Sequence, residues 1–296
     1  IHHANKLPQI IRRAPHGEHN NVRAVCDGVV DLRLRVGIQW IDARHDLGLI
    51  ADGGTDFCNI LRCMVGLHRI HPALTLCLPQ HLHVDEDAVN AAVQQVIQKE
   101  TKIDAVINCA GFGISGAVEF TSMEQAKAQF DVNFFGTVTV NKAVLPFLRR
   151  QGKGHIVNIS SVAAVAHIPF QTFYSASKAA ISSYSYALEN EVKPYGIHVT
   201  IVELGDICTG FTQMRQKSIL GDDEYGGRIS RSVSQMEHDE QNGMNPEVIG
   251  KYIANIVKKK KPAIVYVASV QYKFLSLLCK ILPAAVREKI VEKVYG

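Results

Sequence analysis

Two residues able to exchange a proton stand four positions apart in this chain, in the run Tyr174-Ser175-Ala176-Ser177-Lys178. On a helix that spacing puts the phenol and the ammonium on one face. A free tyrosine titrates near ~10. A lysine beside it favours the phenolate and is expected to draw that value toward neutrality. The pair would then serve as a general acid and base at ordinary pH. At ordinary residue frequencies a Tyr-x-x-x-Lys string turns up by chance in about every second chain of this length. Its surroundings therefore decide what it means.

Other residues fit for chemistry fall at regular places. Asn108-Cys109-Ala110-Gly111 ends an expected strand, where a glycine lets the backbone approach a ligand closely. Asn133 lies in the helix that follows. Ser160-Ser161 ends the next strand, and Tyr174 and Lys178 come thirteen and seventeen residues after Ser161 on the next helix. Leu204-Gly205-Asp206-Ile207-Cys208-Thr209 follows a third strand. In parallel α/β sheets, ligands sit beyond the carboxyl ends of the strands.

The elements that must position these residues follow from periodicity. Asp85–Glu100 has helical spacing through Val89, Ala92, Val93 and Val96. Ile103–Asn108 is a short apolar run of the buried-strand kind. Met123–Arg150 is expected as one long helix, His155–Ser160 as strand, and Thr172–Lys193 as helix stopped by Pro194-Tyr195-Gly196. His198–Glu203 is expected as strand, 206–245 as polar and irregular, Pro246–Lys261 as helix and Ala263–Val267 as strand. Strand and helix alternating at this spacing imply a parallel sheet with right-handed crossovers, hence an α/β, Rossmann-like fold with flanking helices. The tail 271–296 is apolar with interspersed basic residues. Leu275, Leu277, Leu278, Ile281 and Leu282 form a stripe there that suits a helix packed on the domain or a partner subunit, or one lying on a membrane surface.

The first 83 residues differ from the rest. They hold nine of the thirteen histidines, one lysine and eight arginines, whereas the remainder holds seventeen lysines and six arginines. We expect a seam near residue 83 between sequences of different origin, with 1–83 atypical and 84–270 the catalytic portion. Within 1–83 only Leu32–Trp40 alternates like a half-buried strand. The chain opens Ile1-His2-His3, so residue 1 is not expected to be a translation start. A net charge of +4 does not argue for nucleic acid. Seven scattered cysteines without Cys-x-x-Cys suit a reducing compartment, with the cytoplasm expected. No apolar run reaches the ~18 residues of a membrane span. Cys58, Cys63, His68 and His71 are spaced too tightly for a common zinc finger, and no metal is expected.

From about residue 84 to about residue 270 the chain resembles the short-chain dehydrogenase/reductase family. The likeness rests on the Asn-x-Ala-Gly string at 108–111, the helix asparagine, the serine thirteen before Tyr-x-x-x-Lys, and Gly205-x-Ile207-x-Thr209. It implies that Tyr174 exchanges the proton with the substrate oxygen and that Ser161 hydrogen-bonds that oxygen. Lys178 would lower the tyrosine pKa and contact the nicotinamide ribose, and Asn133 would hold a water serving Lys178. Gly205, Ile207 and Thr209 would lie at the nicotinamide, and Asn108, Ala110 and Gly111 on the adenosine side. It also implies NAD or NADP as cofactor, a small or lipid-like secondary alcohol or ketone as substrate, and a homodimer or homotetramer built on helices 123–150 and 172–193.

Departures from the family pattern accompany the match. The Thr-Gly-x-x-x-Gly-x-Gly turn that seats the pyrophosphate on a helix N-terminus is absent from residues 1–83. The position of the family's cofactor-selecting aspartate falls near His83. Cys109 and Leu204 replace the usual asparagine and proline. Without a neighbouring first strand, Ile103–Asn108 would have an open edge, unless Leu32–Trp40 fills it. Translation of 1–83 from another frame, or a rearranged gene, would fit the missing methionine and the switch in basic residue. The primary expectation is an NAD(P)-dependent oxidoreductase. The alternatives are an inactive or truncated member lacking the dinucleotide cradle, or a binding protein that keeps the pocket.

Overall fold

The computed structural model describes residues 73–74 and 85–295. Among these, five strands form a parallel sheet in the order β1 (Ala73–Leu74), β2 (Ala105–Asn108), β4 (Gly154–Ser161), β5 (Ile197–Leu204) and β7 (Val265–Val267). A second, two-stranded sheet pairs β3 (Ile114–Ser115) with β6 (Gln216–Lys217). The edge of β2 is not open: Ala73 and Leu74 pair with Ala105 and Val106. The strand beside β2 is thus ten residues before the expected seam, and Leu32–Trp40 lies outside the described residues.

The helices bury one face each. α1 (Glu86–Glu100) starts where Asp85 Oδ1 accepts from the amides of Asp87 and Ala88, both at 3.0 Å. It buries Val89, Ala92, Val93 and Val96. α2 (Met123–Phe130) opens on a capping box between Ser122 and Gln125. α3 (Gly136–Gln151), α4 (Thr172–Val192) and α7 (Pro246–Val257) complete the cover of the main sheet.

Alternation along the central strands divides the core into two layers. On one face Val106, Ile156, Ile197 and Val199 meet α1, α3 and the end of α4. On the other, Ile107, Val157, Ile159 and Val202 meet Ile249, Ile253 and Ile256 of α7. Both faces are covered, which is why β4 and β5 are buried almost throughout, their polar residues included.

Three expectations need correction. Met123–Arg150 is not one regular helix: a wide π-type turn, Asp131–Phe135, separates α2 from α3. Residues 206–245 are not irregular throughout, because α5 (Phe211–Met214), β6 and α6 (Arg228–Gln241) form there. α6 buries Ile229, Val233 and Met236, three apolar positions at helical spacing in a mostly polar stretch. The helix predicted as Pro246–Lys261 stops at Val257, before the four lysines. The tail holds two helices, α8 (Val270–Ile281) and α9 (Ala284–Tyr295).

Two glycines of the same conformation separate strain from crowding. Gly152 and Gly196 both have φ near +70°, and each ends a helical element before a central strand. A Cβ at Gly152 would meet open space, whereas one at Gly196 would fall inside the van der Waals envelope of the Gly152 carbonyl oxygen. Gly152→Ala should therefore cost about 1 kcal/mol from backbone conformation alone. Gly196→Ala should cost distinctly more. Urea unfolding of the two variants checks the order, and equal losses would contradict it.

Candidate active site

The site forms where β4 and β5 end and α4 crosses them. Ser161 is the last residue of β4. Its Oγ accepts from the Ala163 amide at 3.1 Å, capping the tight turn Val162–Ala164. The same hydroxyl shares a hydrogen bond with the Tyr174 phenol. Ser161 is therefore both the cap of a strand end and a partner of the tyrosine. Ser160 faces the other way. Its Oγ donates to the Lys178 carbonyl at 3.1 Å and pairs with Ser182 Oγ at 2.8 Å, tying β4 to α4.

Lys178 is 4% exposed. Its Nζ donates to the Ile159 carbonyl at 3.0 Å and lies 5.8 Å from the centre of the Tyr174 ring. Four-residue spacing on α4 thus puts both groups on one face, as expected. Gly111 makes room for them: a Cβ there would come 3.0 Å from Asn133 Oδ1 and 3.5 Å from Lys178 Nζ.

Asn133 sits in the π-type turn, fully buried. Its Oδ1 accepts from the Phe112 amide at 3.0 Å. Its Nδ2 donates to the Phe112 carbonyl at 3.1 Å and to Ser177 Oγ at 3.0 Å. Ser177 Oγ in turn donates to the Tyr174 carbonyl at 2.8 Å. The amide therefore clamps the loop after β2 onto α4, and the widened turn is what brings it there.

One pocket is lined by Ser161, Tyr174, Lys178, Gly205, Ile207 and Thr209. Asn108, Ala110, Gly111 and Asn133 do not line it. Asn108 Nδ2 donates to Asn141 Oδ1 at 2.8 Å and to Asn158 Oδ1 at 2.7 Å, joining β2 to α3 and β4. The amide nitrogen of Asn108 thus serves the frame. Ala110 is half-buried and Gly111 buried at the end of β2. Cys58, Cys63, His68 and His71 lie outside the described residues.

Burial, not the lysine, governs the phenol. Tyr174 is pushed up to about 12 by desolvation, against the opposing pull of the Ser161 hydrogen bond. Lys178 is pushed down to about 8 for the same reason. The expected drift of Tyr174 toward neutrality is therefore corrected. An interior that penalises either charged form keeps the phenol protonated and brings the ammonium close to losing its proton.

Several site residues gave no signal as chemistry in the sequence. Gln171, Phe211 and Glu240 line the same pocket, with Tyr272 and Tyr295 from the tail helices. Phe211 lies 5.7 Å from Tyr174, ring centre to ring centre. Glu240 accepts from Thr212 Oγ1 at 2.7 Å and pairs with the buried Arg215 guanidinium. Tyr272 donates to Asp206, and its ring fills the space that a side chain on Gly205 would need. Burial raises the pKa of both Asp206 and Glu240. Glu240 could have been found, since it continues the α6 spacing Ile229, Val233, Met236 by one further step.

Comparison with known proteins gives the site a lineage. The family model described as short chain dehydrogenase matches residues 73–219, beginning with the residues of β1. The 3-ketodihydrosphingosine reductase of Bacteroides thetaiotaomicron is 44% identical over 177 residues, covering 59% of this chain and 66% of that protein. The chain thus spans just under two thirds of that relative. The probable short-chain type dehydrogenase/reductase VdlC of Helicobacter pylori is 31% identical over 206 residues, 68% of this chain and 74% of the other. A short chain dehydrogenase/reductase from Burkholderia phymatum, solved in complex with NAD, shares the fold at a TM-score of 0.59 and 16% identity, covering 71% of this chain and 84% of that one. The serine, tyrosine and lysine gathered at the end of a parallel sheet therefore have a known kinship: the chain belongs to the short-chain dehydrogenase/reductase family.

Proposed function

We propose that this protein reduces the ketone of a lipid-like substrate to a secondary alcohol, with NADH or NADPH as the hydride source. The observation that carries the proposal is the convergence of Ser161, Tyr174 and Lys178 on one pocket. A phenol held protonated is an acid ready to give its proton to a carbonyl oxygen. Ser161, already hydrogen-bonded to that phenol, would stabilise charge building on the same oxygen. Lys178, close to losing its own proton, would restore the one Tyr174 gives away.

The nicotinamide end of a dinucleotide fits the residues present. Gly205, Ile207 and Thr209 border the pocket beside Tyr174 and Lys178. The bound group would supply the hydride. The glycine-rich turn that would seat its pyrophosphate is absent from residues 1–83. Apolar pocket residues such as Val162, Ile168, Leu204 and Leu275 suit a hydrocarbon substituent. The name of the Bacteroides relative supports a long-chain 3-keto substrate. Exposed Phe135 and Tyr186, on the elements flanking α3 and on α4, support a homo-oligomer built there. Seven cysteines scattered without Cys-x-x-Cys support a reducing, cytoplasmic setting.

Initial rates of NADH or NADPH oxidation with a long-chain 3-keto substrate test the proposal. Tyr174→Phe should lower kcat by about 10²–10⁴ and Ser161→Ala by about 10²–10³, with nucleotide affinity nearly unchanged. A folded wild-type chain that binds neither nucleotide in a fluorescence titration would defeat the proposal and favour a member without a working cradle.

The buried lysine also predicts how stability varies with pH. Its folded value, about 8, lies below the ordinary 10.5, so between these values the unfolded chain holds more protons. Unfolding free energy from this group therefore rises with pH across that window. The raised Tyr174 opposes it only above ~10, where unfolded tyrosine ionises. Wild type measured against Lys178→Met by urea unfolding should gain about 2 kcal/mol from pH 8 to 10. A flat difference would mean that Lys178 is not desolvated.

A further inference from the structure

We propose that the outward face of the two C-terminal helices is a docking surface for an anionic lipid bilayer. α8 is apolar on both sides. Its inward side carries Tyr272 and Leu275 to the pocket and buries Ser276 and Cys279. Its outward side carries Val270, Phe274, Leu277 and Ile281, which are 85%, 66%, 56% and 68% exposed. Spacings of four, three and four residues put those four side chains in one stripe. An outward stripe of this size has no use in water and marks a contact surface.

α9 repeats the arrangement. Val291 is buried and Tyr295 reaches the pocket, while Val286, Ile290 and Val294 stand 44%, 39% and 53% exposed. Each stripe is bordered by cations: Lys273 on α8, Lys289 and Lys293 on α9, all exposed. Across 270–295 five basic residues outweigh Glu288 and Glu292, a local charge of +3. Charge selects the occupant. A second copy presenting the same face would set lysines against lysines, whereas anionic headgroups complement them.

Among the described residues no helix is long and apolar enough to cross a membrane. α8 has 12 residues, about 18 Å at helical rise, against the ~30 Å of a hydrocarbon core. The pair would lie in the interface with its stripes facing the acyl chains. The same helix would then have lipid on one side and the pocket on the other, a short route for a lipid-like ketone. The docking itself does not depend on the catalytic reading.

Co-sedimentation of the full chain with vesicles tests this. Vesicles of equal phosphatidylcholine and phosphatidylglycerol should bind it at least ~10-fold more tightly than phosphatidylcholine alone. Phe274→Glu with Leu277→Glu should abolish binding with circular dichroism and Tm unchanged, since neither side chain touches the pocket. Lys273→Gln, Lys289→Gln and Lys293→Gln together should weaken it by about fivefold per lysine. No binding of folded wild type to the anionic vesicles, or binding that survives the double glutamate variant, would overturn the proposal. So would a lipid-free dimer, seen by light scattering, that the double variant dissociates, because the stripe would then belong to a second copy.

Discussion

An ammonium kept out of water at the end of a parallel strand is the constraint around which this molecule is arranged. Lys178 is buried, and a main-chain carbonyl holds it. Burying such a group costs free energy unless its donors are met. The frame supplies an acceptor for one of them, the Ile159 carbonyl. β4 must end where Ile159 can accept, and α4 must cross there at a depth fixed by Ser160 and Ser182. Glycine at 111 in the loop after β2 leaves room there, because a Cβ would crowd Asn133 Oδ1 and touch the lysine.

The neighbouring clamp shows how local irregularity serves the same end. A regular helix through residues 131–135 would carry Asn133 on an α-helical schedule. The extra residue in the turn resets it, so that one side-chain amide satisfies both polar groups of Phe112 and reaches Ser177. A buried amide with each polar atom paired rigidifies its surroundings. The β2 loop and the start of α4 are thereby locked to each other.

How much of this was legible in the sequence depended on where the deciding forces lie. Strands β4 and β5 and helices α1, α3 and α4 announce themselves because burial on a sheet or a helix face leaves periodic apolar residues. Helix α6 was hidden because its three buried apolar residues are diluted among serines, arginines and acids, and two of its polar residues, Ser232 and Glu240, are also turned inward, away from water. The π-type turn was hidden because it is fixed by hydrogen bonds to residues 21 and 44 positions away. The pairing of β1 with β2 escaped because two residues carry no period. Spacing places Tyr174 and Lys178 on one helix face and the family resemblance adds Ser161, yet neither shows the state of their protons. Spacing shows which groups meet; only packing shows how dry they are.

That dryness gives the site a direction. A phenol drawn toward neutrality would stand equally ready to take or give a proton. Tyr174 instead lies far above neutrality, and Lys178 only just above it. At physiological pH the tyrosine is loaded and the lysine is the group nearest to exchange. In the proposed reaction, donation to a carbonyl oxygen would leave a phenolate in a place that penalises it, and the lysine is the neighbour that would return a proton. The Ser161 hydrogen bond acts in the same sense, since it favours the phenolate formed in passing. The tail helices add to the dryness from the other side, with Tyr272 over Gly205 and Leu275 and Tyr295 at the pocket wall. Helices far along the chain from Tyr174 therefore contribute to the desolvation that holds its proton in place.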